Sequence, residues 1–93
     1  MIKEIIRSTQ FKKDYKLAIK RGYKEEDFRE VLTYLAEQKP LPEKYHDHPL
    51  NDSKHYANAR ECHIYPDWLL IYRYKENKLI LELIRTGSHS DLF

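Results

Sequence analysis

A chain of 93 residues and 11.4 kDa has room for one domain, 1–93, against a usual domain size of roughly 100–150 residues, and this excludes a two-domain organisation. Hydrophobic residues make up 41% and charged residues 34%, which suits a small core and excludes a disordered chain, while the single Cys62 excludes an intramolecular disulfide framework and a multi-cysteine zinc site and fits a reducing, cytoplasmic setting. The formal charge of +2 does not by itself announce a nucleic-acid binder, but residues 1–39 hold ten Lys/Arg against seven Asp/Glu, so the positive excess lies in the N-terminal part.

Met1 to Ile6 reads as a first strand carrying Ile2, Ile5 and Ile6, without the long apolar core of a signal peptide. Ser8 or Thr9 then caps a helix running to about Arg21, with Gly22 as a left-handed terminator. Phe11, Tyr15 and Ala18 form its buried stripe. Lys12, Lys16 and Lys20 recur at i, i+4, i+8 on the other side, where they serve either as a solubilising face or as contacts to nucleic-acid phosphates. A second helix is predicted from Glu25 to Gln38, with acidic residues in its first turn and Phe28, Val31, Leu32, Leu35 and Ala36 on one face. Pro40 and Pro42 stop it and open a polar connection reaching roughly to Ala59, long for so small a domain.

The last third reads as three antiparallel strands, 59–65, 68–74 and 79–85, and its longest apolar stretch, Trp68 to Tyr72, is far too short to span a membrane. The fold class is therefore α+β: an N-terminal strand, two antiparallel helices and a C-terminal antiparallel sheet. Two-residue loops at Pro66-Asp67 and Glu76-Asn77 would pair Tyr65 with Trp68, His63 with Leu70, Tyr74 with Leu79 and Trp68 with Arg85. One face would then carry Cys62, Ile64, Leu69, Ile71, Ile80 and Ile84 beneath the helices. The other, carrying Glu61, His63, Tyr65, Trp68, Tyr72, Tyr74, Leu81, Leu83 and Arg85, would be an open platform for bases and phosphate, with His63 and Arg85 roughly 12 Å apart.

Five histidines in 93 residues offer imidazoles for acid–base work. His46, His48 and His63 lack the HExxH spacing or cysteine partner of a metal site, and neither a metal nor a cofactor is expected. Cys62 alternates inward as a small core residue. Gly87 breaks the last strand, which lets His89 swing toward Arg85, and Leu92-Phe93 supplies an aromatic anchor.

Four ordered segments, Asp47-His48-Pro49-Leu50, Arg60-Glu61-Cys62-His63-Ile64, Pro66 to Tyr72, and Arg85-Thr86-Gly87-Ser88-His89 with Leu92-Phe93, resemble the YafQ-type toxins of the RelE/ParE superfamily, and Lys13 to Ala18 agrees. The resemblance implies a toxin of a bacterial type II toxin–antitoxin pair that cuts messenger RNA in the ribosomal A site. The family's functional positions fall on His48, His63, Asp67, Trp68, Arg85, His89 and Phe93. The implied partners are a ribbon-helix-helix antitoxin, the ribosome and mRNA, with DNA met only through the toxin–antitoxin complex and no membrane. Between Leu50 and Arg60 the chain departs from the family, being about two residues longer where a Gly and a Trp are common.

Metal-free RNA cleavage needs a base for the 2′-hydroxyl, a cation at the phosphorane and an acid for the 5′-oxygen. In that scheme His89 is the acid, Arg85 the clamp, and His63 with His48 or Asp67 the base and orienting group, while Trp68 and Phe93 stack bases or wall the site. A topoisomerase inhibitor like ParE, or a member that only binds its antitoxin, is the alternative; neither needs imidazoles converging on an arginine.

Overall fold

The computed structural model describes residues 2–50 and 56–93. Strand β1 (Glu4–Arg7) is followed by helices α1 (Thr9–Lys20) and α2 (Glu25–Ala36), a 3-10 turn at Glu43–Tyr45, and strands β2 (His48–Pro49), β3 (Arg60–Tyr65), β4 (Trp68–Lys75) and β5 (Ile80–Gly87), with a short helix α3 (His89–Leu92) last. The strands form one sheet in the order β1-β5-β4-β3-β2, in which only β1 runs parallel to its neighbour.

Ser8 caps α1, its hydroxyl accepting from the Phe11 N–H at 2.9 Å, and Gly22 follows the helix with φ +98°. The buried stripe is Phe11, Asp14 and Ala18, so a carboxylate stands where an apolar residue is usual, and Tyr15 lies at the margin. Glu25, Glu26 and Asp27 replace a side-chain cap at the start of α2 by complementing the helix dipole. That helix ends at Ala36, two residues early, because Gln38 adopts a left-handed φ of 57°. The long connection contains the 3-10 turn and β2, both too short to carry a periodic signal. Residues 51–55 of the extended loop lie outside the described residues.

Two β-bulges correct the expected sheet faces. Tyr65 does pair with Trp68, but the register then slips by one residue at Ile64, and His63 pairs with Leu69 and Glu61 with Ile71. The β4–β5 hairpin closes at Lys75–Ile80 around a four-residue loop in which Glu76, Asn77 and Lys78 are all left-handed, and Tyr74 pairs with Leu81. A second slip at Ile84 brings Arg85 opposite Ile71. Because strand side chains alternate with a period of 2, each bulge moves everything beyond it to the other face.

The outcome is a mixed sheet face under the helices. Trp68, Leu70, Tyr72, Leu81 and Leu83, all nearly fully buried, pack with Cys62 and Ile64 against Phe11, Phe28, Val31 and Leu35. Tyr74 packs on the same side and donates its hydroxyl to Leu35 O at 2.7 Å. Leu69, Ile71 and Ile84, expected beneath the helices, instead lie on the opposite face with Ala59, Tyr56 and Leu92. Glu61 and His63 do share one face, but it is that second face, and Arg85 reaches round to Asp14 on α1.

Candidate active site

The short β2 strand places His48 opposite Glu61, and alternation along β3 places His63 on the same side two residues further on. Glu61 is 5% exposed. Its Oε1 lies 3.4 Å from Nε2 of His48 and 3.4 Å from Nε2 of His63, so one buried carboxylate oxygen faces two imidazoles. The rings of His46 and His48 stand 5.5 and 6.3 Å from that of His63. His46, left-handed at φ 48°, directs its carbonyl to Nδ1 of His48 at 2.7 Å. A carbonyl only accepts, so Nδ1 of His48 carries hydrogen, and this bond turns the Nε2 edge of the ring toward Glu61.

Continuous rows of paired residues cross the sheet from this group. His48, Glu61, Ile71 and Arg85 form one row, and His63, Leu69 and Gly87 the next. His63 and Arg85 are thus two strands and two residues apart, about 12 Å by ordinary strand spacings. The offset has the expected size and the opposite direction, since the bulges place Arg85 level with Glu61 and not with Tyr65.

Arg85 leaves the sheet beyond the end of β1 and meets α1. Its Nε and Nη2 donate to Asp14 at 2.9 and 3.0 Å, and Asp14 also accepts from the Thr86 N–H and from Gln10. The hydrogen bonds to Asp14 raise the Arg85 pKa beyond its ordinary value, Tyr56 adding to the effect, so the guanidinium is a permanent cation.

The acid end is carried by α3. Ser88 and Asp91 form a capping box, in which each side chain accepts from the other's backbone N–H. A Cβ at Gly87 would come within 3.0 Å of Asp91 Oδ2, which accounts for glycine there. Arg21 pairs with Asp91 at 2.6 Å, and the carboxyl is held down at about 2, chiefly by that bond. Leu92 seats the helix on Leu69 and Ile71. His89 is exposed, its N–H donates to Asp67 Oδ1 at 3.3 Å, and its ring lies 5.1 Å from the half-exposed Phe93, which in turn meets Tyr56 at 6.1 Å.

The structure therefore brings His48 and His63 together, brings Asp67, His89 and Phe93 together, and sets Arg85 at the far end of the row that starts at His48 and Glu61. Trp68 requires correction. It is 0% exposed, stacks on Tyr23 at 4.8 Å and donates its indole N–H to Thr86 at 2.8 Å, so it cannot stack on a base. Its role is packing between the helices and the sheet. Lys12, Lys16 and Lys20 are all exposed on α1, away from its buried stripe. Cys62 is fully buried, and burial pushes its thiol pKa far up.

Glu61 and Asp14 are the residues that sequence reasoning passed over as participants. A charge between Arg60 and Cys62 in an alternating strand was the available signal for Glu61; a carboxylate at i+3 from Phe11 on the buried stripe was that for Asp14. Among the described residues, no group of three or more His, Cys, Asp or Glu side chains is arranged to hold a metal ion.

Residues 3–93 match the family described as the bacterial toxin of type II toxin–antitoxin system, YafQ. The mRNA interferase toxin YafQ of Escherichia coli (strain B / BL21-DE3) is 41% identical over 92 residues, covering 98% of this chain and 96% of that one. The metal-bound toxin from Helicobacter pylori is 42% identical with a TM-score of 0.89 over all of both chains. YafQ in the E. coli DinJ–YafQ complex is 41% identical with a TM-score of 0.83, covering 96% of each chain. By its sequence along almost its whole length, and by the five-stranded sheet that carries these imidazoles, the chain belongs to the YafQ family of type II toxin–antitoxin toxins.

Proposed function

We propose that the protein is an mRNA interferase, an endoribonuclease that inhibits translation by cutting ribosome-bound message and is neutralised by a cognate antitoxin. The observation that carries the reading is one sheet face on which two imidazoles share Glu61, Arg85 lies along the same row, and His89 stands at the far end on Asp67. mRNA interferase relatives favour it over inhibition of a topoisomerase, and the DinJ–YafQ complex supports an antitoxin partner. No helix among the described residues is long and apolar enough to cross a membrane, and a toxin acting on ribosomes belongs in the cytoplasm.

In this mechanism His63, its ring held at Nε2 by Glu61 beside His48, takes the 2′-hydroxyl proton of the nucleotide before the cut onto its other ring nitrogen. The 2′-oxygen attacks phosphorus. Arg85 neutralises the charge gathering on the non-bridging oxygens, from a guanidinium that Asp14 has already oriented. His89 gives its proton to the departing 5′-oxygen, and Phe93 walls that side. The products are a 2′,3′-cyclic phosphate and a 5′-hydroxyl. Asp67 orients the backbone that bears His89, a positioning task.

The deciding measurement is primer extension on message after incubation with translating ribosomes, with analysis of the new 3′ ends. Cleavage within codons, cyclic-phosphate ends and intact ribosome-free RNA are expected; equal cleavage of naked RNA would contradict the ribosome requirement. A net charge of +2 offers few phosphate contacts, so ribosomal positioning is needed. The Lys12, Lys16 and Lys20 stripe is the proposed ribosomal RNA contact. Replacing all three by Glu should weaken ribosome binding and its salt dependence, and unchanged affinity would return the stripe to a solubilising role.

A further inference from the structure

His48 and His63 also line a cleft of about 800 Å³ between α2, the 3-10 turn and the β3–β4 turn. That is within the ~300–1,000 Å³ usual for small-molecule sites. Its chemistry is graded. The imidazoles lie at one wall, the Lys44 ammonium stands 5.0 Å from the Tyr45 ring, and α2 contributes the carboxylates of Asp27 and Glu30, on one helical face at i, i+3. Tyr65, at the rim, is 45% exposed. Among the described residues Asp27 Oδ2 is the buried side-chain oxygen with no hydrogen-bond partner, an acceptor waiting for a donor.

Phosphate suits the imidazole and lysine side and is repelled from the α2 side. The two carboxylates already draw tyrosine hydroxyls, Asp27 that of Tyr65 and Glu30 that of Tyr45, and what the remaining carboxylate oxygens, Asp27 Oδ2 first, accept from is an N–H donor. The donor-rich edge of a nucleobase is the exocyclic amino group: N4 of cytosine, N6 of adenine, N2 with N1 of guanine. Uracil instead turns two carbonyl oxygens toward its partners around a single N–H. We propose that this cleft is a base-selecting subsite, in which Asp27 and Glu30 accept from the amino group of a nucleobase beside the scissile phosphate while Tyr65 stacks on its ring, so that uridine is disfavoured at that codon position. The inference rests on the RNA-cleavage reading above and adds to it the residues that choose the base.

The test is sequencing of cleavage ends from a ribosome-bound message containing all codons, for the wild-type protein and for Asp27→Asn and Glu30→Gln. Wild-type cleavage should be depleted in uridine at one position by about 10–100-fold, the discrimination expected of a good polar base contact. Each variant should still cut, and uridine should recover at that position, most in Asp27→Asn, whose amide can donate to a uracil carbonyl. Exposed Glu30 takes Gln without a packing change, which keeps the test open if Asp27→Asn folds poorly; the far-UV circular dichroism spectrum and the urea midpoint report folding for both. An unchanged base profile in the folded variants overturns the subsite. Weakened antitoxin binding by Glu30→Gln with an unchanged profile assigns the carboxylates to a basic antitoxin segment instead, and also overturns it. Absence of any ribosome-dependent cleavage by the wild-type protein overturns the parent reading and this one with it.

Discussion

Asp14 and Arg85 stand 71 residues apart in the chain and meet in a two-point ion pair at 2.9 and 3.0 Å, the carboxylate 9% and the guanidinium 25% exposed. The pair joins the buried stripe of α1 to the row of the sheet that bears Glu61, so the cation of the candidate site is supported by the helix layer. A double-mutant cycle with Asp14→Asn and Arg85→Gln should give a coupling of about 1–3 kcal/mol by urea denaturation, below the usual cost of breaking a fully buried pair because Arg85 retains some solvent. Asp14→Asn should also reduce cleavage while Arg85 is intact. Additive stabilities would show that the two charges do not depend on each other.

His89 is exposed, and its ring contact is to the half-exposed Phe93, so trimming it should change stability only within about ±0.5 kcal/mol. Removing a positioned acid costs roughly 10²–10⁴-fold in rate. The His89→Ala protein should fold, bind antitoxin and ribosomes, and lose toxicity and cleavage together. Near wild-type cleavage by this variant would move the acid to His48 or His63.

Trp68 is fully buried between Tyr23 and the sheet. Trp68→Ala should therefore cost about 3–5 kcal/mol, a large part of the ~5–15 kcal/mol that holds a typical domain together. Toxicity should fall through loss of folded protein, seen as a lowered urea midpoint. Trp68→Phe, which keeps a ring in the site, should cleave at near the wild-type rate per folded molecule; a large loss of rate without a loss of stability would return Trp68 to substrate contact.

Asp91 is held at about 2 by Arg21 and by the Ser88 N–H and hydroxyl, below the ~3.9 of a free aspartate. With the folded value depressed, its contribution is complete above about pH 4 and is lost as the pH falls toward 2. Amide exchange in residues 88–92 should accelerate across that window and release His89 and Phe93 before the sheet opens. In Asp91→Asn the acid step should vanish, leaving α3 loosened at every pH; a step that persists would belong to another carboxylate.

Local chemistry was sufficient to place the two long helices and the three long strands. Ser8 and Gly22 bound α1, acidic residues open α2, and alternation marks β3 to β5, because caps and periodicity act within a turn or a few residues of chain. The order of the His48, His63, Arg85 and His89 segments was equally legible and led to the same family that the whole-chain comparison shows. Even α3 had its signal in Ser88 and Asp91, spaced as a capping box.

Which way the sheet faces was decided only in three dimensions. The bulges at Ile64 and Ile84 each insert one residue, and with a period of 2 one residue suffices to turn Trp68 and Tyr72 into core while Glu61 and His63 face away from the helices and Arg85, beyond the end of β1, reaches round to Asp14 on α1. Nothing within either strand announces the slip, since it is set by what the helices bury. The partners of the site's charges are tertiary for the same reason. Glu61 gains two imidazoles from β2 and β3, and Arg85 gains Asp14 from a helix 71 residues earlier, because a buried charge settles where the fold supplies its counter-charge and the linear sequence does not record that distance.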